Sequence, residues 1–355
     1  MKAEAQRFLE AQNRLVIQSS DLSLESIASM VHAGAIDISP KYQRRERWTV
    51  DKQSALIESF LLNIPVPPIY LAEDEYGKYS VIDGKQRITS IYNFILNGLR
   101  LKNLETYVEL ENYDFASIPE QLRNALSIRP YIRVVILLKQ SDPELKYEVF
   151  TRLNTGGERL LPQEIRNVAF RGPYNDMIFQ LAENGFLRQQ LKIKNNLSKS
   201  YKEMIDAEYV LRFFTLREQW DSFPGNMARA MENHMQKHKY DKESNIEKYK
   251  VLFNSTISTA REIWGDTAFK RPDINTFRNQ MLQGVYDVQM VPISLLSENQ
   301  KNLIPNNSNR IKAAFLDMYN NDIDFQSSIR QFTSNTTRVK TRISKMFDKL
   351  NEILR

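Results

Sequence analysis

Cysteine is absent from all 355 residues, which excludes disulfide scaffolds, Cys-ligated zinc, iron–sulfur clusters and thiol nucleophiles together. Histidine is nearly as scarce, with only His32, His234 and His238. No run approaches the roughly 18 consecutive apolar residues of a membrane span. Met1 to Asn13 is charged and polar where a signal peptide is apolar, so the chain is expected in the cytoplasm, with no membrane partner. Internal repeats, low-complexity tracts and long Gly/Ser linkers are missing as well. Core material is plentiful: 42% of residues are hydrophobic, with 16 Tyr and 18 Phe, which rules out disorder as the main state. The length predicts two domains.

Two styles of sequence follow one another. Up to about residue 140, short apolar runs alternate with turn signals. Pro65, Pro67 and Pro68 lead into Ile69-Tyr70-Leu71-Ala72, Glu73 to Gly77 reads as a turn, and Lys78 to Ile82 reads as the second strand of a hairpin. Ile88, Ile91, Tyr92 and Ile95 then recur at helical spacing until Asn97-Gly98. Ala55 to Leu62 predicts a helix, and Tyr131 to Leu138, rich in β-branched residues, a further strand. Beyond about residue 141 the period becomes 3.6. Asp142-Pro143 opens a helix that Asn154-Thr155-Gly156-Gly157 closes, and Pro162 starts the next. Later helices are expected over Glu203 to Leu216, Ile246 to Trp264, Ile311 to Tyr319 and Val339 to Leu354. The expected class is α+β, with a mixed domain over residues 1–140 and an all-helical domain over 141–355.

The net charge of +6 is modest, so its placement matters more than its size. Residues 330–355 hold seven basic side chains against Asp348 and Glu352, and Lys41, Arg44, Arg45 and Arg47 face only Glu46. Nucleic acid and nucleotide phosphates are polyanions that such patches suit, although solvated faces carry Lys and Arg too. Val339, Ile343, Met346, Phe347, Leu350 and Leu354 form an apolar stripe on the last helix. Arg338, Lys340, Arg342 and Lys345 are therefore expected to project outward, toward the DNA backbone.

Chemistry concentrates at Asp83-Gly84-Lys85-Gln86-Arg87, a strand, tight turn and helix in succession. A helix N-terminus exposes backbone N–H groups and a partial positive charge, and glycine lets the backbone approach a ligand. Lys85 and Arg87 add positive charge, Gln86 an amide, and Asp83 a carboxylate able to hold Mg²⁺ or orient a water. Asp-Gly also serves as an ordinary hairpin or cap dipeptide.

Further segments stand with the turn in one order: Pro40-Lys41-Tyr42-Gln43-Arg44 with Trp48, Pro65 to Leu71, and Phe150-Thr151-Arg152-Leu153-Asn154-Thr155-Gly156-Gly157. Together they resemble the N-terminal domain of the GmrSD-type, modification-dependent restriction proteins, over roughly residues 20–170. Met204 to Leu216 looks like that family's helical continuation. The resemblance implies a ParB/sulfiredoxin-like fold for the first domain, with nucleoside triphosphate binding and hydrolysis coupled to defence against foreign DNA. It assigns Asp83 to metal or water, Gly84 to the backbone cradle, and Gln86 with Arg87 to the phosphates. Arg152 and Asn154 would line the site. Tyr42, Gln43 and Arg44 lie in a segment associated in relatives with sensing DNA, modified DNA included. The family's usual turn is Asp-Gly-Gln-Gln-Arg; here Lys85 replaces the first Gln, which suits a phosphate oxygen but puts any water-positioning role of that amide in doubt.

Many relatives carry an HNH nuclease domain, fused or as a partner. Nothing after residue 200 supplies its compact His-based motif, so no HNH activity is expected and a separate nuclease subunit is. His234 and His238 sit four apart, as helical metal ligands would, yet Met235-Gln236-Lys237 lacks the glutamate of a zinc hydrolase; a solvated, metal-free face is expected. Glu144 to Lys146 has the Glu-x-Lys form of another nuclease signature, but Pro143 places it in a helix rather than a strand. The expected function is a nucleotide-hydrolysing, DNA-sensing subunit of a restriction or anti-phage system, with Mg²⁺ and a nucleoside triphosphate as ligands. A non-enzymatic ParB-like nucleotide or DNA regulator and a helical interaction protein are the alternatives, and a homo-oligomer stays open.

Overall fold

The β-branched runs of the first part assemble into a five-stranded sheet in the computed structural model, which describes residues 14–38, 48–153, 161–273, 276–331 and 334–355. Its strands are β1 (Ile17–Ser23), β2 (Ile36–Asp37), β3 (Ile69–Glu75), β4 (Lys78–Asp83) and β5 (Tyr131–Leu137), in the order β1-β5-β3-β4-β2. β3 and β4 form the expected antiparallel hairpin, β1 is antiparallel to β5, and the β3–β5 and β2–β4 pairs are parallel. Parallel pairs need crossover segments. These carry α2 (Val50–Leu61) between β2 and β4, and α3 (Lys85–Leu96) and α4 (Glu120–Ile128) between β3 and β5, while α1 (Leu24–His32) lies between β1 and β2.

Side-chain alternation then sorts the two faces of the sheet. Ile69, Leu71, Val81, Val134 and Ile136 share one core with residues of α1 to α4, among them Ile27, Ile57, Ile88 and Ile91. Ala72, Ile82 and Leu137 point the other way, toward Val149 and Leu153 of α5 (Pro143–Leu153) and Ile165 of α6 (Pro162–Ala169). The chain divides into compact units Met1–Ala169 and Phe170–Arg355. The change of period near residue 141 marks the last strand of the sheet, whereas the first unit runs on through α5 and α6, which pack on β4.

The second unit contains α7 (Pro173–Ala182), α8 (Gly185–Gln190), α9 (Lys199–Lys202), α10 (Ile205–Gln219), α11 (Met227–His238), α12 (Glu243–Trp264), α13 (Gln283–Leu295), α14 (Glu298–Asn321), α15 (Ile323–Arg330) and α16 (Thr336–Ile353). It is not all helical: β6 (Lys270–Asp273) and β7 (Thr276–Met281) pair as an antiparallel hairpin. Only Pro272 of these strands is buried, so no period-two apolar pattern announces them. α14 begins 13 residues before the expected Ile311, because Ser297 and Gln300 form a reciprocal capping box and Pro305 is accommodated inside the helix.

A buried ionic cluster joins this unit. Arg212 of α10 donates from Nε and Nη2 to Asp287 of α13, both at 2.7 Å, and Arg342 of α16 reaches the same carboxylate at 2.5 Å and the Ser328 carbonyl at 3.1 Å. The expectation that Arg342 projects outward to DNA is thus corrected: its side chain is 0% exposed. It follows Val339 by three residues, which places it at the edge of the apolar stripe. Of its neighbours, Lys345 pairs with Asp322 at 2.6 Å, Arg338 donates to the Ser327 hydroxyl, and Lys340 is exposed. Burial raises the Asp287 carboxyl, but the Arg212 and Arg342 guanidinia outweigh it and hold it below the usual carboxylate range.

Asp287→Asn leaves two buried guanidinia without a carboxylate and should cost about 3–5 kcal/mol, read as a fall in denaturation midpoint. Because the folded carboxyl is depressed, its contribution is complete above the unfolded value of about 3.9 and is lost as pH falls through the folded value. The stability gap between wild type and variant should therefore close on acidification. A gap that is small at neutral pH, or constant with pH, would remove the cluster from the stability of the fold.

Candidate functional site

β4 ends at Asp83 and α3 begins two residues later, so everything between depends on Gly84. Its φ of 92° is left-handed, and a Cβ there would stand 3.0 Å from Ile69 Cγ1 and 3.1 Å from Arg87 Nη2. As N-cap it offers α3 no side-chain acceptor, and the first turn holds no acid. The N–H groups that a helix cannot satisfy internally are accompanied instead by Lys85 and Arg87, which makes the turn attractive to an anion.

Arg87 lies one helical turn beyond Asp83. Its Nη2 donates to Asp83 Oδ2 at 2.8 Å and to the Pro68 carbonyl at 3.0 Å, joining the end of β4, the approach to β3 and the start of α3. Its Nε is buried and makes no hydrogen bond. The Asp83 side chain is 35% exposed and that of Arg87 15%, so the pair sits at the surface end of the sheet. Asp83 faces Tyr70 across the hairpin, where the register shifts between Tyr70 and Leu71. Lys85 and Gln86 are half-buried, and the Gln86 carbonyl accepts from Ser90 Oγ at 2.7 Å.

The other expected contributors are placed differently. Arg152, in the last turn of α5, is 77% exposed and pairs with Glu148 at 2.5 Å. α5 meets the sheet through Val149 and Leu153, on the face that carries Ile82. Asn154 and the Tyr42, Gln43 and Arg44 segment lie outside the described residues. Glu144 to Lys146 lies in the first turn of helix α5, as Pro143 predicts, and Lys146 Nζ donates to the Glu73 carbonyl at 3.2 Å.

Two sets of polar residues were not legible as buried. Gln163, Glu164, Arg166 and Asn167 of α6 are each 1% exposed or less. Glu164 caps its own helix by accepting from the Leu161 N–H at 2.7 Å, and Arg166 Nη1 donates to Gln163 Oε1 at 3.0 Å. In sequence this run reads as a solvated face; only Pro162 at the helix start with Glu164 two residues on hints at a capped, fixed turn. His234 and His238, expected on a solvated face, pack against Glu218 of α10 instead, His234 buried and His238 partly buried, with side chains 5% and 12% exposed. Neither signal lies in their own helix, because the partner glutamate is 16 residues before His234.

No helix among the described residues is long and apolar enough to cross a membrane. Residues 24–171 match the family model described as the GmrSD restriction endonuclease, N-terminal domain. No curated protein and no solved structure gives a significant match. The matched span runs from α1 through α6 and includes four of the five strands, the buried polar face of α6 and the whole Asp83 to Arg87 turn. Residues 24–171 therefore form a domain of the GmrSD restriction endonuclease N-terminal type.

Proposed function

We propose that the β4–α3 turn binds the phosphates of a nucleoside triphosphate, and that the chain is the nucleotide-hydrolysing, DNA-sensing subunit of its system, acting with a separate nuclease. The observation that carries this reading is the coincidence at one turn of a left-handed Gly84, a helix N-terminus with cations and no acid, and the buried Arg87 Nε without a hydrogen bond. A phosphate oxygen would supply the acceptor that both the backbone and the guanidinium lack. Lys85 would add a point charge, and Gln86 an amide able to orient water. Asp83 Oδ2 is engaged by Arg87, which leaves Oδ1 as the oxygen for Mg²⁺. One carboxylate completed by phosphates and waters fits that ion's habits, and the bound ion would neutralise phosphate charge. Arg152 and Asn154 join this site on the family resemblance alone.

For DNA, the reading uses Tyr42, Gln43 and Arg44 to contact bases, and Arg338, Lys340 and Lys345 to contact the backbone. Arg342 is excluded by its burial. The Asp83–Arg87 pair also favours a second reading, in which nucleotide binds as a switch ligand and is not hydrolysed, because the carboxylate is already occupied by a cation.

Arg87→Ala should weaken triphosphate binding by about tenfold or more, since a charge-assisted contact is worth roughly 1.5–3 kcal/mol. Unchanged calorimetric affinity in a folded variant would end the phosphate reading. Asp83→Asn separates the two functional readings: binding should persist while phosphate release falls, whereas an absence of release in wild type, with or without DNA, selects the switch.

The DNA contacts are read from salt dependence. Each phosphate neutralised on duplex DNA contributes about −0.9 to the log-log slope. Replacing Arg338, Lys340 and Lys345 with Gln, and keeping Arg342, should flatten the slope by up to about three such contacts. An unchanged slope would leave this helix an ordinary solvated surface and shift the contact to residues 41–47.

A further inference from the structure

Glu218, near the end of α10, faces two imidazoles one turn apart on α11. Its Oε2 lies 2.8 Å from His234 Nδ1 and 2.9 Å from His238 Nε2, while Lys237 Nζ bonds Oε1. The far nitrogens are held as well. His234 Nε2 is 2.7 Å from the Tyr174 hydroxyl of α7, and His238 Nδ1 is 2.8 Å from Asp241 Oδ2, which also accepts from Tyr249 of α12 at 3.0 Å. One ligand atom from each of Glu218, His234 and His238 falls within 4.8 Å of the others.

We propose that Glu218, His234 and His238 form a binding site for a borderline divalent transition metal of the Zn²⁺ class. The geometry motivates it. One nitrogen of each ring turns inward to the same Glu218 oxygen, and the remote nitrogen of each is engaged by Tyr174 or Asp241, so the rings are already aimed as ligands. A metal ion between the inward nitrogens keeps every outer contact. Asp241 accepts from His238 Nδ1–H; the His234 ring proton sits on Nε2 when Nδ1 ligates, and the Tyr174 hydroxyl, able to donate or accept, then accepts from it. That is the carboxylate–histidine–metal arrangement which fixes a ligating ring by its remote nitrogen.

Ligand chemistry selects the class of ion. Two imidazoles and one carboxylate suit Zn²⁺ and its neighbours, whereas Mg²⁺ and Ca²⁺ take oxygen donors. Bonds of about 2.0–2.1 Å place tetrahedral ligand atoms about 3.3 Å apart, so the contacts to Glu218 must open by about half an ångström. Glu218 can give that, because its side chain is one-third exposed while the His234 ring is buried and the His238 ring partly so. Lys237, 65% exposed, can withdraw to solvent as the cation arrives. Three protein ligands with solvent on the glutamate side leave the fourth position to water. The alternative is that the network is only a hydrogen-bonded staple between α10 and α11.

The test uses the full chain, stripped with chelator, dialysed and titrated with ZnCl₂ by calorimetry and CoCl₂ by visible absorption. One ion per chain and the d–d band of four-coordinate cobalt with nitrogen ligands are expected. Asp241→Asn should weaken Zn²⁺ binding by about 10–100-fold through the loss of the outer carboxylate, and Glu218→Gln should weaken it at least as much. Both replacements keep side-chain volume, and circular dichroism checks the fold. Because the cobalt spectrum is read on wild type, the proposal stays falsifiable if a variant does not fold. No saturable cobalt band, equal heat from MgCl₂, or wild-type affinity in folded Asp241→Asn and Glu218→Gln would each overturn it and leave the staple.

Discussion

One guanidinium holds the candidate nucleotide site in shape. Arg87 binds the carboxylate that ends β4 and the carbonyl of Pro68 before β3, while its own backbone lies in the first turn of α3. Gly84 follows from that geometry, since the nearest atoms to any Cβ at position 84 include the Arg87 guanidinium itself. Asp83, Gly84 and Arg87 are thus one physical unit: an acceptor, the space for the donor, and the donor one turn on. The family's usual Gln is replaced by Lys85 between Gly84 and Arg87 of this unit.

Positive charge in the second unit divides between interior and surface. Arg212 and Arg342 converge on Asp287, and the desolvation of three ions is offset by contacts of 2.5–2.7 Å and by the Ser328 carbonyl. The local basic excess of residues 330–355 reads in sequence as a polyanion-binding face. Part of it is instead committed to holding α16 against α13 and α15, and Lys345 is engaged by Asp322. Net charge over a helix says how much cation is present, and packing decides how much of it a ligand can meet.

The elements legible in sequence are those with local punctuation. The β3–β4 hairpin, the turn into α3, β5 and the core stretches of α10, α12 and α16 all have a proline, glycine or strict period at their borders. α14 was half legible because Pro305-Asn306-Asn307-Ser308-Asn309 reads as a loop, although the burial of Ile304, Ile311, Phe315 and Tyr319 carries the helix through it. The β6–β7 hairpin was invisible because only Pro272 of its strands is buried, so no apolar alternation marks it. The candidate turn was legible as chemistry, yet its controlling feature, the Pro68 carbonyl on Arg87, joins residues 19 apart. The Glu218, His234 and His238 group has the same difficulty: its outer contacts come from Tyr174, Asp241 and Tyr249 on three other segments.

A buried polar group without a partner is not by itself a site. Arg217 Nε and the Trp264 and Tyr286 polar atoms are also buried without hydrogen bonds. At Arg87 the unsatisfied donor lies in the first turn of α3, whose N-cap supplies no side-chain acceptor, beside a glycine that leaves room for the guanidinium. At His238 the converse holds, since two carboxylates face one imidazole. A surplus of donors calls for an anion and a surplus of acceptors for a cation. The signs of these two imbalances, rather than burial or cluster size, distinguish the proposed phosphate site at the β4–α3 turn from the proposed metal site beside α11.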